Sequence, residues 1–414
     1  MVHLMKFSSL DLSPEIQQAL DSCGYTTMTP IQEQAIVPIR RGKDVLACAQ
    51  TGTGKTATFA LPILQQMMDK PPTAKDAISP RTLILTPTRE LAEQLAETIG
   101  TYAQNLPFKT IAAYGGVKIS KQVAKLNAGA DIVIATPGRL LELLSQCHTH
   151  LANVKYVVLD EADRMLDMGF LNDVQTILNA TSKQRQTLLF SATLSAEVTT
   201  FAHKVLKSHQ EIRVSKANST ADTVEHIIYS VEEKRKIELF NDLLDEHNWY
   251  QALVFTSTKE QADSLLLSLK KRKVAAAICH GDKTQGARRR ALADFKSAKI
   301  QILIATEVAA RGLDIEGLEY VINYNLPFLA EDYVHRIGRT GRAGNKGYAI
   351  SLVSREEERS LDAIQRLIGQ KIKRVKRSGY EVFNRRNLVE KIETGQRVNR
   401  KNKSSQTVIK KGAS

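Results

Sequence analysis

The stretch Ala49-Gln50-Thr51-Gly52-Thr53-Gly54-Lys55-Thr56 combines residue types that suit the binding of a polyphosphate. Its spacing is that of the pattern G-x-x-x-x-G-K-[ST], with alanine in place of the first glycine. Gly52 and Gly54 let the backbone bend so that its N–H groups point inward. Lys55 is long enough to reach β- and γ-phosphates, and the Thr56 hydroxyl can ligate Mg²⁺. Because an apolar strand precedes the stretch and an apolar helix follows it, we interpret it as a loop that binds phosphate groups, with Thr56 as a ligand of Mg²⁺.

A run of acidic residues, Asp160-Glu161-Ala162-Asp163, supplies a second reactive group directly after the apolar segment Val157-Val158-Leu159. Asp160 would lie at the carboxyl end of a strand, which is the edge where open α/β sheets bind ligands. A carboxylate there can hold Mg²⁺ opposite Thr56, and Glu161 can orient or deprotonate a water that attacks the γ-phosphate. The alternative is an acidic helix start in which Asp160 or Asp163 is the N-cap.

Two arginines in the segment His335–Arg342 form a third group. Arg339 and Arg342 lie three residues apart with a glycine between them, so both guanidinium groups can converge on one polyphosphate. Residues 256–260, which follow an early strand of the same half of the chain, contain no glycine and no G-K-T. We therefore predict that both arginines act as fingers across a cleft, worth about 10³–10⁵ in rate. The alternative is a basic surface loop.

Short apolar segments that alternate with helical patterns would position these groups. The predicted strands of the first half are Val45–Cys48, Thr82–Thr86, Thr110–Tyr114, Ile132–Ala135, Val154–Leu159 and Gln186–Phe190. Those of the second half are Glu225–Val231, Ala252–Thr256, Ala275–Ile278, Ile300–Ala305, Tyr320–Tyr324 and Tyr348–Val353. Such segments, apolar on both faces, are typical of parallel sheets covered by helices on both sides. The prediction is an α/β fold with tandem domains over 1–210 and 224–368, a polar linker over 211–223 and a tail over 369–414.

Most of the positive charge lies in the predicted tail. The chain of 414 residues carries a net charge of +14, of which residues 369–414 hold +11 and the preceding 368 residues hold +3. A nucleic acid is the expected partner of so basic a segment. We predict that the tail is a tether whose runs Lys371–Arg377 and Arg397–Lys403 neutralise phosphates without reading bases. The alternative is a solvated extension that only adds solubility.

The composition argues against several other classes of protein. An apolar content of 43% with 25% charged residues is that of a globular protein. There is no run of 18 apolar residues, and Met1–Leu10 contains no extended apolar region of the kind found in secretory signals. The four cysteines form no C-x-x-C pair, which argues against a zinc site or a disulfide framework and favours a cytoplasmic location.

Taken in order, these and further motifs resemble those of the DEAD-box ATP-dependent RNA helicases, in which two RecA-like domains hinge over ATP and RNA. The resemblance covers about residues 7–368, and the motif sequences are similar to those of bacterial members of the RhlE kind. The first domain carries Phe7 with Gly24–Gln32 (the Q motif), A-Q-T-G-T-G-K-T at 49–56, P-T-R-E-L-A at 87–92, Gly115-Gly116, T-P-G-R at 136–139, D-E-A-D at 160–163 and S-A-T at 191–193. The second carries V-F-T-S-T at 254–258, Gln285 with Arg288, A-T-E-V-A-A-R-G-L-D at 305–314 and H-R-I-G-R-T-G-R at 335–342.

The resemblance implies a role for each matched position. Residues implied to bind ATP are Phe7, Thr27, Gln32, Ala49, Gln50, Thr51, Gly52, Thr53, Gly54, Lys55, Thr56 and Asp314, with Gln32 reading adenine, Phe7 stacking on it and Asp314 at the ribose. Residues implied to hold the RNA backbone are Pro87, Thr88, Arg89, Gly116, Thr136, Gly138 and Arg139 in the first domain and Arg288, Thr306 and Gly312 in the second. Catalysis would involve Lys55, Asp160, Glu161, Arg339 and Arg342, with Thr56 and Asp160 at the metal. Ser191 and Thr193 would couple the acidic motif to domain closure.

The sequence departs from the family at two places. Glu307 stands where the family has aspartate, which keeps the charge on a longer arm, and Met28 stands where the Q motif has proline.

The implied activity is ATP hydrolysis coupled to separating short RNA duplexes or remodelling RNA–protein complexes, by a monomer whose candidate partners are ribosome-assembly or RNA-decay proteins. Two alternatives stay open: a DNA helicase or translocase, and an RNA clamp that uses ATP only to lock on.

Overall fold

The computed structural model describes residues 5–49, 52–71, 79–214, 224–310, 315, 317–341 and 346–380. Within these residues the chain forms two sheets of seven parallel strands each, with helices on both faces. The prediction of two tandem α/β domains is therefore confirmed. No helix in these ranges combines the length and the apolar character needed to cross a bilayer.

The first domain is built from the strands β1 (Val45–Cys48), β2 (Thr82–Leu85), β3 (Thr110–Ala113), β4 (Ile132–Ala135), β5 (Tyr156–Leu159), β6 (Gln186–Ser191) and β7 (Gln210–Arg213). Its helices are α1 (Pro14–Ser22), α2 (Pro30–Arg40), α3 (Lys55–Asp69), α4 (Arg89–Tyr102), α5 (Ile119–Asn127), α6 (Pro137–Ser145), α7 (Ala162–Asp167), α8 (Leu171–Ala180) and α9 (Ala196–Val205).

The second domain is built from the strands β8 (Val224–Ser230), β9 (Ala252–Thr256), β10 (Ala276–Cys279), β11 (Ile302–Thr306), β12 (Tyr320–Asn323), β13 (Gly347–Val353) and β14 (Lys373–Val375). Its helices are α10 (Lys236–His247), α11 (Lys259–Lys271), α12 (Gln285–Lys296), α13 (Glu307–Ala310), α14 (Ala330–Ile337) and α15 (Glu358–Ile368).

The first sheet separates two apolar cores, because successive side chains of a strand point to opposite faces. On β5, Tyr156 and Val158 pack in a core with residues of α2, α3 and α4. Val157 and Leu159 pack in a second core with residues of α6, α8 and α9. Burial on both faces explains why most strands are continuous apolar runs and were predictable from the sequence.

The two sheets have the same strand order. The first reads β3-β4-β2-β5-β6-β1-β7, and the second reads β10-β11-β9-β12-β13-β8-β14, which is the same order shifted by seven strands. The alternation of strands and helices that occurs in both halves of the sequence thus corresponds to one topology that both domains share.

The last strand of each sheet differs from the sequence-based prediction. Residues 211–213, predicted as linker, form β7, which pairs with β1, and Val214 N–H donates to Cys48 O at 3.1 Å. Residues 373–375, predicted as tail, form β14, which pairs with β8. Both are edge strands that pair on one side only, so polar side chains suffice and no apolar run marks them; in β7 only Ile212 is buried. The other predicted linker residues, 215–223, lie outside the described residues.

The segment after β14 is fixed to the second domain by specific contacts. Tyr380 is buried, its hydroxyl donates to Asp242 Oδ2 at 2.7 Å, and the Arg235 guanidinium lies 4.4 Å from its ring centre. Arg374 pairs with Glu358, and Arg377 pairs with Glu246. Arg374 and Arg377 of the basic run Lys371–Arg377 are therefore paired with acidic residues of the domain, in contrast to the predicted role of this run as a free tether. The second basic run lies outside the described residues.

Removal of this segment is expected to destabilise the second domain. A chain that ends at Ile368 lacks β14, the burial of Tyr380 and its hydrogen bond to Asp242, which together should lower the free energy of unfolding by about 2–4 kcal/mol. A chain that ends at Tyr380 is the matched control. Trp249 is the only tryptophan and lies in the core of the second domain, so its fluorescence during urea unfolding measures this domain. Equal unfolding midpoints for the two truncated chains would contradict a structural role for residues 369–380.

Candidate active site

The strand order brings three of the sequence motifs to one place on the first sheet. Strand β6 lies between β5 and β1, with Ser191 opposite Cys48 and Leu189 opposite Leu159. The loops at 49–56, 160–163 and 191–193 therefore leave neighbouring strands at the same edge of the sheet. Ala49 N–H donates to Ser191 O at 2.9 Å, which extends the β1–β6 ladder into the glycine-rich loop.

The glycine-rich loop has the geometry of an anion site. Gly52 and Gly54 have φ of 81° and 88°, values that other residues rarely adopt. Helix α3 begins at Lys55, whose side chain is buried and whose Nζ has no hydrogen-bond partner in the described part of the chain. A buried ammonium without a partner is costly, so this site suits a phosphate group. The predicted ligand residues Gln50 and Thr51 lie outside the described residues.

The glutamine of the Q motif is held on the backbone of this loop. Gln32 Oε1 accepts from Thr29 N–H at 2.8 Å, and Gln32 Nε2 donates to Gly54 O at 3.2 Å. The Thr29 hydroxyl donates to Thr53 O at 2.7 Å. Each polar atom of the Gln32 amide keeps one further hydrogen-bonding position, which is what an adenine edge requires. Thr29 was not among the predicted ligand residues, although T-x-x-Q is a capping-box pattern that signals it.

Phe7 and Thr27 lie on the segment that leads into α2. The Phe7 side chain is only 2% exposed and stacks on Tyr25 with a distance of 5.9 Å between ring centres. Thr27 is exposed and forms a β-bridge with Lys6. An adenine stacked on Phe7 would need an open ring face, which this arrangement does not offer. Phe7 here fixes the segment before the Q motif, and its contact with adenine stays a prediction.

Asp160 follows β5 directly, as predicted, and Glu161 follows in a left-handed conformation with φ of 53°. Asp160 is buried, and burial raises the pKa of its carboxyl group to about 6, although the Lys55 ammonium opposes the rise. Its Oδ1 accepts from Glu161 N–H at 3.1 Å. The N-cap of α7 is Glu161 and not Asp160 or Asp163, so the alternative of a simple acidic helix start is not supported.

Asp163 joins the acidic motif to the S-A-T motif. Its Oδ2 accepts from Ala192 N–H at 3.1 Å, from Thr193 N–H at 3.0 Å and from the Thr193 hydroxyl at 3.1 Å. The Ser191 hydroxyl in turn donates to Thr193 O at 2.6 Å. Movement of one motif must therefore displace the other.

The motifs predicted to hold RNA in the first domain lie on the other half of the same edge. They follow β2, β4 and β3, which form the part of the sheet beyond β5. Pro87 is buried, and the Thr88 side chain caps α4 by accepting from Leu91 N–H at 3.3 Å. Arg89 lies against Gly116, where a Cβ would overlap its guanidinium group. Thr136 occupies the N-cap position of α6 without a side-chain capping bond, and no atom lies within 4 Å of a Cβ built at Gly138.

Arg139 differs from its predicted role. Its side chain is only 8% exposed, and its guanidinium group donates to Glu142 Oε2 at 2.8 Å, to Gln122 Oε1 at 2.9 Å and to Val117 O at 3.1 Å. These bonds fix the loop after Gly116 relative to α6. Arg139 therefore positions the predicted RNA-binding loop and does not present a free guanidinium group.

The second domain brings its own set of predicted residues to the first. Arg288 Nη2 donates to Glu90 Oε1 at 2.9 Å and to Ala309 O at 3.3 Å, and Gln285 Nε2 donates to Glu90 Oε1 at 3.1 Å. Arg288 is thus an inter-domain contact and not an open phosphate-binding group. Thr306 ends β11 and is half-buried. Gly312 and Asp314 lie outside the described residues.

The segment of the predicted arginine fingers is shaped by a third arginine. Arg339 is buried just after α14, and Arg342 lies outside the described residues. Arg336 donates to Glu307 Oε2 at 2.6 Å, to Asn323 Oδ1 at 3.0 Å and to Asn325 O at 2.7 Å. Glu307, the departure from the family pattern, therefore reaches Arg336 and holds α14 in place.

A row of three buried charged side chains, which no sequence signal indicated, connects Glu161 with the second domain. Arg164 Nε lies 3.7 Å from Glu161 Oε2, and Arg164 Nη1 lies 3.7 Å from Asp332 Oδ1 of α14. The exposed fractions of the three side chains are 8% or less. The predicted catalytic carboxylate is thus electrostatically connected to the position of the second domain.

Comparison with known proteins identifies one family for this chain. The DEAD/DEAH box helicase model matches residues 29–201, and the helicase conserved C-terminal domain model matches residues 235–344. The DEAD-box ATP-dependent RNA helicase RhpA of Helicobacter pylori (strain B128) is 40% identical over 370 residues, which cover 89% of this chain and 74% of that protein. CshA of Bacillus subtilis (strain 168) is 39% identical with the same coverage. The RhlE-like subtype stays a prediction.

Solved structures show the same two-domain architecture. Dbp5 of S. cerevisiae bound to RNA and ADP BeF3 is 31% identical, with a TM-score of 0.79 and coverage of 94% of this chain and 98% of that one. The helicase Mss116 bound to single-stranded RNA and UDP-BeF is 30% identical, with a TM-score of 0.82 and coverage of 91% and 81%. A DEAD box protein of Methanococcus jannaschii is 40% identical, with coverage of 90% and 99% but a TM-score of only 0.51. From these matches and from the motifs gathered along the two sheets, the chain belongs to the DEAD-box ATP-dependent RNA helicases, which hydrolyse ATP.

Proposed function

We propose that the chain hydrolyses ATP in response to RNA, with its two domains closing on both ligands, and so separates short RNA duplexes or remodels RNA–protein complexes. The observation that carries this proposal is the buried Lys55 ammonium, which has no hydrogen-bond partner in the described part of the chain and lies in a glycine-rich loop beside Asp160. The likeness of the chain to two structures that were solved with bound RNA also supports it.

The residues present suit ATP with Mg²⁺. Lys55 and the backbone of its loop would bind the phosphates, and Gln32 would read the adenine. Asp160 and Thr56 would hold Mg²⁺, which neutralises phosphate charge when bound. Among the described residues no cluster of three or more acidic, histidine or cysteine side chains forms a metal cage. Mg²⁺ in nucleotide sites is usually held by one or two carboxylates together with phosphate oxygens and water, so the set of Asp160 and Thr56 is sufficient.

Hydrolysis would be shared between the domains. Glu161 would orient the attacking water and accept its proton, since it follows Asp160 and is buried beside Arg164. Arg339 and Arg342 would donate to the γ-phosphate from the second domain, which has no G-K-T loop of its own. Asp163, Ser191 and Thr193 would transmit closure to the acidic motif through the hydrogen bonds that join them.

The RNA would be held by its backbone without base readout. Thr88, Thr136 and Thr306 offer hydroxyl groups, while Gly116 and Gly138 allow the backbone to approach phosphate and 2′-OH groups closely. Arg139 and Arg288 would act indirectly, by fixing the loop after Gly116 and the domain contact at Glu90. The basic residues after Tyr380 would tether RNA. A monomeric state, a cytoplasmic location and partners in ribosome assembly or RNA decay stay predictions.

RNA should stimulate ATP hydrolysis, whereas single-stranded DNA of the same sequence should not. The physical reason is that hydroxyl groups and close backbone N–H groups in the segments after β2, β4 and β3 can bind the 2′-OH, which DNA lacks. The measurement is the ATPase rate over a range of concentrations of each nucleic acid at one salt concentration. Equal stimulation by DNA would favour the translocase alternative, and tight ATP-dependent RNA binding without turnover would favour the clamp.

The substitution Glu161→Gln is expected to lower kcat by about 10²–10⁴ while the Kd for ATP stays nearly the same, because a general base contributes about this much and the amide keeps the size of the side chain. Glu197→Gln is the matched control, since Glu197 is exposed on α9. Single-turnover hydrolysis and equilibrium binding of a fluorescent ATP analogue separate the two effects. A loss of affinity without a loss of kcat would contradict the assignment.

The chain that ends at Tyr380 tests the tether, since it keeps β14 but lacks the nine Lys and Arg residues of 381–414. Its affinity for single-stranded RNA should fall, and the slope of log K against log salt should become shallower by about 0.7 for each RNA phosphate that the tail neutralised. Its kcat at saturating RNA should stay within about twofold of the parent, because each of the proposed catalytic residues precedes the cut.

A full-length chain with those nine basic residues replaced by glutamine is the control for tail length. It should behave like the truncated chain. An unchanged salt slope in either variant would support the alternative of a solubilising extension.

A further inference from the structure

Two helices from different domains face each other with opposite charges. Helix α4 of the first domain carries acidic residues at spacings of three and four, which place them on one face. Helix α12 of the second domain carries basic residues. Members of both sets line a cavity of about 480 Å³ between the domains: Glu90, Glu93 and Glu97 from α4, and Arg288, Arg289 and Lys296 from α12.

Arg289 makes the most extensive of these contacts. Its Nε donates to Glu93 Oε2 at 2.9 Å, and its Nη2 donates to Glu93 Oε1, so that the pair is bidentate. The same Nη2 donates to the Tyr114 hydroxyl at 2.8 Å. The exposed fractions of the Arg289 and Glu93 side chains are 55% and 19%. Bidentate pairs of this kind are stronger and better oriented than single contacts between long side chains.

Tyr114 completes the contact from the first domain. It is buried, and its hydroxyl donates to Glu93 Oε1 while it accepts from Arg289. Burial raises the pKa of Tyr114 to about 12, with a further contribution from the hydrogen bond to Glu93. Since the hydroxyl stays protonated at neutral pH, it holds the Glu93 carboxylate in the orientation that Arg289 requires.

Arg289, Glu93 and Tyr114 lie outside the positions assigned above to ATP or RNA. Arg289 belongs to the run Arg288-Arg289-Arg290, in which only Arg288 is implied by the family resemblance to hold RNA. The Arg289 guanidinium group is used by Glu93 and Tyr114 of the other domain. Arg290 is exposed and has no ion pair within the described ranges of the chain.

We propose that Arg289, Glu93 and Tyr114 form an inter-domain latch that stabilises the closed arrangement and thereby sets how strongly ATP and RNA favour each other's binding. The inference rests on the proposed function, since closure on both ligands is what the latch would strengthen. The three residues are positioning residues. They lie beside the contact of Glu90 with Arg288 and Gln285, so the α4–α12 interface would act as one charged unit. Because Arg289 is half exposed, salt should weaken the latch.

The test measures the Kd of a labelled single-stranded RNA with and without a non-hydrolysable ATP analogue and Mg²⁺. The Kd without the analogue divided by the Kd with it is the coupling between the ligands. Arg289→Glu and Glu93→Arg should each lower this ratio about three- to tenfold, because each places like charges against each other. The double variant R289E/E93R should recover most of the coupling. Tyr114→Phe should lower the ratio about twofold, because it removes one hydrogen bond of the network.

Arg290→Glu is the matched control, with the same change of charge on the same helix. It should raise both Kd values by the same factor and leave the ratio unchanged. If Arg289→Glu lowers the ratio no more than Arg290→Glu does, or if the double variant recovers nothing, the latch is overturned while the proposed function stands. A parental ratio of one would overturn the proposed function and the latch with it.

Two further readouts distinguish a latch from a general structural defect. At saturating ATP and RNA, closure is driven by the ligands, so in RNA-stimulated ATP hydrolysis Arg289→Glu should mainly raise the KM for RNA and change kcat less than about twofold. Urea unfolding followed by Trp249 fluorescence should give the parental midpoint. If Arg289→Glu is unstable, Arg289→Gln supplies the milder variant. A kcat loss equal to the loss in kcat/KM would contradict the latch.

Discussion

Seven parallel strands that end at one edge of each sheet decide where the reacting side chains lie. Because β6 lies between β5 and β1, the loops that bear Lys55, Asp160 and Ser191 are neighbours although Lys55 is more than a hundred residues from the other two. Strands β2, β4 and β3 continue the edge on the other side of β5, so the groups proposed for the RNA backbone lie beside the nucleotide site and not within it. The separation that we propose for the two ligands follows from strand order, as expected at the carboxyl edge of an open α/β sheet.

Buried charges in this edge are only partly compensated by the protein. Lys55 has no hydrogen-bond partner in the described part of the chain, and burial raises the pKa of Asp160. The buried Arg164 guanidinium lies 3.7 Å from Glu161 Oε2 and 3.7 Å from Asp332 Oδ1, and these two contacts are too long for hydrogen bonds. Such groups are stabilised when a polyphosphate and a metal ion bind and when closer contacts form across the domains. We therefore expect these buried charges to contribute to the affinity for the nucleotide.

How far the sequence predicted this structure depended on the kind of signal. Strands buried on both faces, such as Ile132–Ala135, were located to within one or two residues, because hydrophobicity alone places them. The edge strands β7 and β14 were missed because a strand paired on one side tolerates charged residues. Arg139 and Arg288 were predicted to contact RNA, since arginine suits phosphate and carboxylate equally, and only geometry shows which partner is present. Arg164 and Asp332 gave no signal because their contact joins distant segments.

The two sheets share one topology, yet only the first carries a glycine-rich phosphate loop. On the proposed mechanism the first domain would hold the nucleotide and the second would supply the arginines. Turnover would then require that both domains meet, and its rate would depend on ATP and RNA together. By linkage, whatever free energy RNA gains from bound ATP, ATP must gain from bound RNA. Moving closure from 1:99 to 99:1 requires about 5.5 kcal/mol in total, a sum that two ligands can share.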